Sequence, residues 1–350
     1  MDTSAGMRVL EIADLRRRVS EHVMSVIEQQ TPLMLSVSSD LSPMIDSITA
    51  LMAGGKRLRP AFAYWGWRGA GGTDCDEAVA AATALEFLQA CALIHDDVMD
   101  GSDTRRGLPA VHRRFESLHI EHHWHGEAGL FGVGAAILAG DLCLSWADEV
   151  LMNCGLPAEA VARGKQVYDI MRSELMAGQY LDLLEQSRSS ADVERIRNVI
   201  RFKSAKYTIE RPLHMGAALA GADEAVMRQL SDFGLPLGEA FQLRDDVLGV
   251  FGDPEVTGKP AGDDLREGKR TALIAYAFER ANANERSLLA ERLGRQNLSA
   301  QDIDDMRSII VSCGALDIVE TLISEGRDAA LQTLSASSLT PEAVHVLSNL

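Results

Sequence analysis

The chain has 350 residues, enough for one large domain or two modest ones, and its 46% hydrophobic content is ample for a core. Against 51 Asp plus Glu stand only 34 Lys plus Arg, a formal charge of -17, which argues against nucleic acid or an anionic membrane as the main partner. Basic clusters are therefore informative, because an acidic protein that grips anions must concentrate its cations locally.

Leu10 to Gln29 has helical spacing with interleaved charges, Ser39 to Pro43 breaks it, and a second helix runs to Met52. Gly54-Gly55-Lys56-Arg57-Leu58-Arg59-Pro60 follows, three cations within four residues on a glycine turn, with Pro60 suited to open the next helix. Such a turn is either an anion cradle or a solvated basic loop. After a loop over Gly69 to Asp76, an alanine-rich run from Glu77 to Met99 has the periodicity of a buried helix and ends in Asp96, Asp97 and Asp100. Buried like charges repel unless a cation sits between them, and an all-oxygen ligand set favours Mg2+ or Mn2+ over Zn2+. The alternative is a solvated acidic helix end.

Gly101 to Pro109 carries Arg105 and Arg106, placed either to hold phosphate in bidentate fashion or to neutralise the aspartates. His119, His122, His123 and His125 invite a zinc reading, but no second ligand group follows at a distance, so a polar surface loop is expected. Apolar helices over Leu130 to Met152 and Pro157 to Leu184 come next, the latter carrying Gly178-Gln179-Tyr180-Leu181-Asp182. Arg195 to Ala220 reads as a helix around Lys203 and Ser204, kinked by Pro212. Glu224 to Val250 then repeats the earlier pattern, an apolar helix ending in Asp245 and Asp246. Two such helix ends facing each other would enclose a cavity able to hold several metal ions between protein and an anionic ligand. Phe251 to Gly262 reads as a lid loop, with Lys269-Arg270 just beyond. From Ala272 to Leu350 three or four amphipathic helices without chemistry are expected. Alternating strands are absent, so the fold is expected to be all-α: a single-domain large helical bundle over 1–350 with a central cavity.

The five cysteines are scattered and read as reduced core residues of a cytoplasmic protein. Met1 to Gly6 lacks the order of a signal peptide, and no apolar run reaches about 18 residues free of charge, so no transmembrane segment is expected.

Taken in order, these motifs resemble the trans-polyprenyl (isoprenyl) diphosphate synthase family, which includes the geranylgeranyl and farnesyl diphosphate synthases. The match runs from about 52 to 270 and comprises the Gly-Gly-Lys-Arg-Leu-Arg-Pro turn, Asp-Asp-x-x-Asp with Arg-Arg-Gly, Gly-Gln-x-x-Asp, Lys-Ser, Phe-Gln-x-x-Asp-Asp, and Gly-Lys repeated. The resemblance implies a Mg2+-dependent condensation of isopentenyl diphosphate with an allylic diphosphate (dimethylallyl, geranyl or farnesyl) by ionisation, condensation and elimination, in a homodimer. It implies that Asp96 and Asp100 bind two Mg2+ ions with Asp97 in support, and that Asp245, beside Asp246, anchors a third; Mn2+ is a possible substitute. Arg105, Lys203, Lys259 and Lys269 resemble the cations on the allylic diphosphate, with Ser204 where threonine is usual and Gln179 and Gln242 as polar contacts. Lys56, Arg59, Arg106 and the Gly55 backbone resemble the isopentenyl diphosphate site, and Gln89 stands where histidine is common.

Gly249 departs from the pattern, replacing an aspartate four residues after Asp245. In this family product length follows side-chain bulk just upstream of the first motif. Those positions are the small Cys91 and Ala92, so the floor is assigned to Leu144 or Trp146, and a C20 product is expected over C15 or longer chains. A terpene cyclase would bind one diphosphate and need aromatic walls, which 5% aromatic content does not supply. A non-catalytic partner subunit would be expected to lose the first aspartates or the basic turn, and both are intact.

Overall fold

The computed structural model describes residues 3–188, 192–253 and 262–350, with the backbone alone over 3–11. It is all-α, as expected, apart from a two-residue hairpin, and its contacts gather into two compact units, described here separately.

The first unit runs to Lys165 and includes Met215–Gly221. It contains α1 (Thr3–Val37), a 3-10 turn (Ser39–Leu41), α2 (Ser42–Ala53), α3 (Leu58–Gly69), α4 (Asp76–Asp100), a hairpin of β1 (Thr104–Arg105) and β2 (Leu108–Pro109), α5 (Val111–Glu121) and α6 (Ala128–Met152). The central helix is α4, whose residues Ala78 to Leu88 are all buried, and α1, α3 and α6 pack around it. Small residues allow the close approach of α6: Ala136, Ala139, Cys143 and Ala147 are fully buried, and a side chain at Gly140 would run into the His95 ring. By length and composition alone, α4 and α6 could each cross a membrane, although no run in either is free of charge for so long. The apolar window of α4 is 78% buried, as in a core helix, whereas that of α6 is 28% buried.

The second unit comprises Gln166–His214 and Ala222–Leu350. Most of α7 (Ala158–Ser187) lies here, followed by α8 (Val193–Val199), a π-helical stretch (Ile200–Glu210) and α9 (Arg211–Ala220). Before Pro212 the backbone widens to π bonding, and the Arg211 N–H still bonds Lys206 O, so the proline's missing donor falls where the hydrogen-bond register changes. α10 (Glu224–Phe251) starts on an Asp223 cap and continues through Pro236.

After it come α11 (Asp263–Glu267), α12 (Ala272–Arg280), α13 (Ala283–Arg292), α14 (Ala300–Ser312), α15 (Ala315–Ser335) and α16 (Pro341–Leu347). The tail beyond Ala272 thus holds five helices rather than three or four, because capping boxes at Asn282/Glu285 and Ser299/Asp302 start new ones. Leu243, Val247, Leu265, Leu273, Met306, Ile310 and Val319 form the core beneath α10. A groove of about 290 Å³ in this unit is lined by Arg197, Arg201, Pro236, Glu239 and Leu322, and none of the expected ligands borders it.

Candidate active site

In the first unit, three elements converge on the end of α4. Gly101, at φ 65°, caps the helix by donating its N–H to Asp97 O, and the chain turns into the hairpin. Arg106 and Gly107 form its two-residue loop with φ of 55° and 75°, a turn matched to strand twist. This turn sends the two arginines in different directions.

Arg105 folds back onto α4. Its Nε donates to Asp97 Oδ1 at 2.8 Å, its Nη2 bonds the same oxygen, and Asp96 Oδ2 lies 3.6 Å away. Asp97 is 1% exposed; burial raises its pKa and the arginine opposes that shift. Neutralisation of an aspartate by this pair, one of the two sequence readings, therefore holds for Arg105 and Asp97. Asp96 and Asp100 remain half-buried, one turn apart at the carbonyl end of the helix, where the dipole disfavours negative charge and a cation offsets it.

Arg106 reaches the basic turn instead. Its Nη1 donates to Leu51 O at 2.7 Å and to Gly54 O at 2.6 Å, satisfying carbonyls that end α2, and its guanidinium lies over the Gly55 backbone. A Cβ at Gly55 would stand 3.0 Å from Nη2, so the glycine permits this approach. Burial and the charges of Arg57, Arg105 and Arg59 lower the Arg106 pKa, while Glu86 raises it. Lys56 is exposed and Arg59 half-buried, so both lie on the basic turn whose Gly55 backbone faces Arg106. Gln89 lies on α4, half-buried, seven residues before Asp96.

In the second unit, Gly178 on α7 lets the π-helical backbone approach: an added Cβ would stand 2.5 Å from Lys203 N. Lys203 Nζ consequently donates to Asp182 Oδ2 at 2.5 Å. Ser204 Oγ donates to Gln242 Oε1 at 2.6 Å, and Gln242 Nε2 donates to Asp246 Oδ1 at 2.9 Å. Gln179 lies on the same helix as Gly178, three residues before Asp182. Asp245 is exposed, whereas Asp246 is 5% exposed and its Oδ2 has no hydrogen-bond partner among the described residues. Burial, offset in part by Gln242 and aggravated by Asp264 and Asp245, pushes Asp246 up to about 7. Asp264 on α11 was not singled out from the sequence. Its carboxylate occupies the space a side chain at Gly249 would need, and Lys269 Nζ lies 3.7 Å from it and 2.6 Å from Glu267.

These oxygen donors fit a hard divalent cation: Asp246 is buried beside like charges, and Asp96 and Asp100 end a helix at its negative pole. Among the described residues, however, no three His, Cys, Asp or Glu side chains converge as a complete metal site. A cation held at either helix end would take its remaining ligands from elsewhere, as it would if shared with a phosphate-bearing substrate.

Cys91 lies buried against α6: burial pushes its thiol up to about 12, and its Sγ lies 3.7 Å from His95 Nδ1. Ala92 is half-buried one turn before Asp96. Trp146 is buried edge-on to Phe87 (ring centroids 6.1 Å apart), and Leu144 is half-buried. The histidine segment is the exposed loop expected at His122, His123 and His125, with His122 stacked on Trp124, whereas His119 is buried on α5 against Trp124 and Phe131. Lys259 and most of the expected lid loop lie outside the described residues.

The polyprenyl synthetase family model matches residues 42–310. The chain is 33% identical over 309 residues to the geranylfarnesyl diphosphate synthase of Aeropyrum pernix, covering 86% of this chain and 91% of that one. It is 32% identical over 327 residues to the geranylgeranyl diphosphate synthase of Methanosarcina mazei, covering 92% of each. Among solved structures, a geranylgeranyl pyrophosphate synthase from Corynebacterium glutamicum, complexed with isoprenyl diphosphate and magnesium, is 40% identical with a TM-score of 0.92 and coverage of 95% and 96%. A basic turn braced by Arg106, carboxylate-tipped helices and similarity along nearly the whole length agree: the chain belongs to the polyprenyl synthetase family.

Proposed function

We propose that this protein condenses isopentenyl diphosphate with an allylic diphosphate and releases geranylgeranyl diphosphate (C20) as its main product. The reaction class and a product of C20 or longer rest on the family and on the named relatives. The observation that carries the reading is the basic cradle next to a carboxylate-tipped helix, with Arg105 and Arg106 dividing between the two.

In this reading Asp96, Asp100 and Asp245 hold about three Mg2+ ions on the allylic diphosphate, for which Mn2+ substitutes. When bound, the ions stabilise the negative charge that builds on the departing diphosphate. Arg105, Lys203, Lys259 and Lys269 take its oxygens, helped by Gln179, Ser204 and Gln242. Arg105 remains anchored by Asp97, and Lys203 by Asp182. Lys56, Arg59, Arg106 and the Gly55 N–H hold isopentenyl diphosphate, and Gln89 contributes a polar contact. The bond from the allylic C1 to oxygen breaks with its electron pair going to diphosphate. The terminal alkene carbon (C4) of isopentenyl diphosphate then bonds to C1, which leaves the cation on its C3, and C2 gives up a proton to the departed diphosphate as the new C2=C3 double bond forms. No enzymatic nucleophile is needed.

A second copy of the chain covers the exposed side of α6, where Leu130, Phe131, Ile137 and Leu138 are 72%, 39%, 43% and 60% exposed, beside Ile120 and Trp124. Light scattering should give a dimer in the cytoplasmic protein, and Leu138→Glu should shift it toward monomer. The primary test is product sizing: purified protein with Mg2+, isopentenyl diphosphate and, in turn, dimethylallyl, geranyl and farnesyl diphosphate. A C20 product absent without Mg2+ supports the reading; no elongation from any starter overturns it.

A further inference from the structure

Lys56-Arg57-Leu58-Arg59 looks like three equivalent cations, but the middle one behaves differently. Arg57 has φ 57°, in the left-handed region that side chains disfavour, and the backbone there turns its side chain inward. The guanidinium is 5% exposed and joins three helices. Nη1 bonds Glu86 on α4, itself 6% exposed; Nη2 donates to Met52 O in the last turn of α2 at 2.5 Å; and Nε donates to Ser20 Oγ on α1 at 3.2 Å.

A buried ion pair is seldom the most stabilising way to fill such a space, since apolar residues of similar size do as well or better. What it does supply here is direction. Arg57 and Arg106 together cap the Leu51, Met52 and Gly54 carbonyls, and they fix the turn from both sides. Glu86 is also the negative charge that offsets Arg57 and raises the pKa of Arg106 within a crowd of arginines.

We propose that Arg57 is a positioning residue of the isopentenyl diphosphate site: locked onto Glu86, it sets the turn on which Gly55, Lys56 and Arg59 present their donors, and it touches no substrate. The proposal rests on the function argued above. A wild-type protein that does not consume isopentenyl diphosphate overturns that function before any variant is measured.

Given an active wild type, the test is the KM for each substrate in Arg57→Gly, which tolerates the left-handed backbone but removes the anchor. Its KM for isopentenyl diphosphate should rise tenfold or more, while the KM for the allylic diphosphate and kcat stay within about threefold. Arg57→Lys should fall between wild type and Arg57→Gly. If the single glycine variant does not fold, the double variant Arg57→Met/Glu86→Leu, which leaves no buried charge unpaired, takes its place and should show the same split. A folded variant with unchanged KM for isopentenyl diphosphate, or with both KM values and kcat moving together, overturns the proposal.

Discussion

The ends of α4 and α10 carry the same Asp-Asp pair, yet each inner aspartate has been given a different partner. Asp97 is buried against the Arg105 guanidinium, which offsets part of the rise in pKa that burial imposes. Asp246 is buried against the amide of Gln242 with Asp264 and Asp245 nearby, so its charge is opposed. The first array has an arginine at hydrogen-bond distance from its inner carboxylate. The second has an amide at its inner carboxylate and two further carboxylates that raise its pKa, although the two sequences look alike, because a motif specifies ligands while the neighbouring elements specify what surrounds them.

The strongest challenge to that contrast is to remove the outer carboxylates. Asp96→Ala should lower kcat by about a hundred- to a thousandfold or more in product assays, because charge on the leaving group loses its stabilisation. Asp245→Ala should do likewise, and near-normal turnover in either would separate that array from the reaction.

Gly249→Asp restores the residue the family pattern leads one to expect, yet it should be harmful. The new side chain would displace the Asp264 carboxylate, costing about 1–3 kcal/mol and lowering the melting temperature as well as the rate. A variant as stable and active as wild type would show that Asp264 moves aside freely.

The pH response should differ between the arrays when metal is chelated. Asp246 titrates near 7 in the folded protein and near the ordinary carboxylate value when unfolded, so the folded state holds the extra proton between about pH 4 and 7. Stability therefore falls as pH rises through that window, by an amount on the order of 2–4 kcal/mol. Asp246→Asn should flatten the curve in melting experiments with a chelator, and an unchanged curve would remove the contrast with Asp97.

A last substitution changes product rather than rate. Whichever of Trp146 and Leu144 closes the tunnel should lengthen the product when replaced by alanine. Burial of Trp146 edge-on to Phe87 favours Trp146. If both variants still give C20, the floor lies on other residues.

Fold class and the order of elements were legible because helical periodicity, caps and glycine turns act over a few residues. The Asp-Asp pairs and the Gly-Gly-Lys turn were legible because each is contiguous. The hairpin at Arg106 was missed: its signal is a lone Arg-Gly pair, and left-handed arginine is disfavoured until Leu51 O and Gly54 O hold it. Of the histidine segment only His119 was misplaced, because composition ignores the aromatic packing that buries it.

By itself the sequence determined that this is an all-α polyprenyl synthetase with two carboxylate arrays and a basic turn, since those depend on residue type and local spacing. Only the tertiary structure decided which of the clustered charges face each other. Arg105 pairs with Asp97, Arg57 with Glu86, and Asp264 fills the space beside Gly249, because the energy of a buried charge depends on partners brought from distant segments by packing.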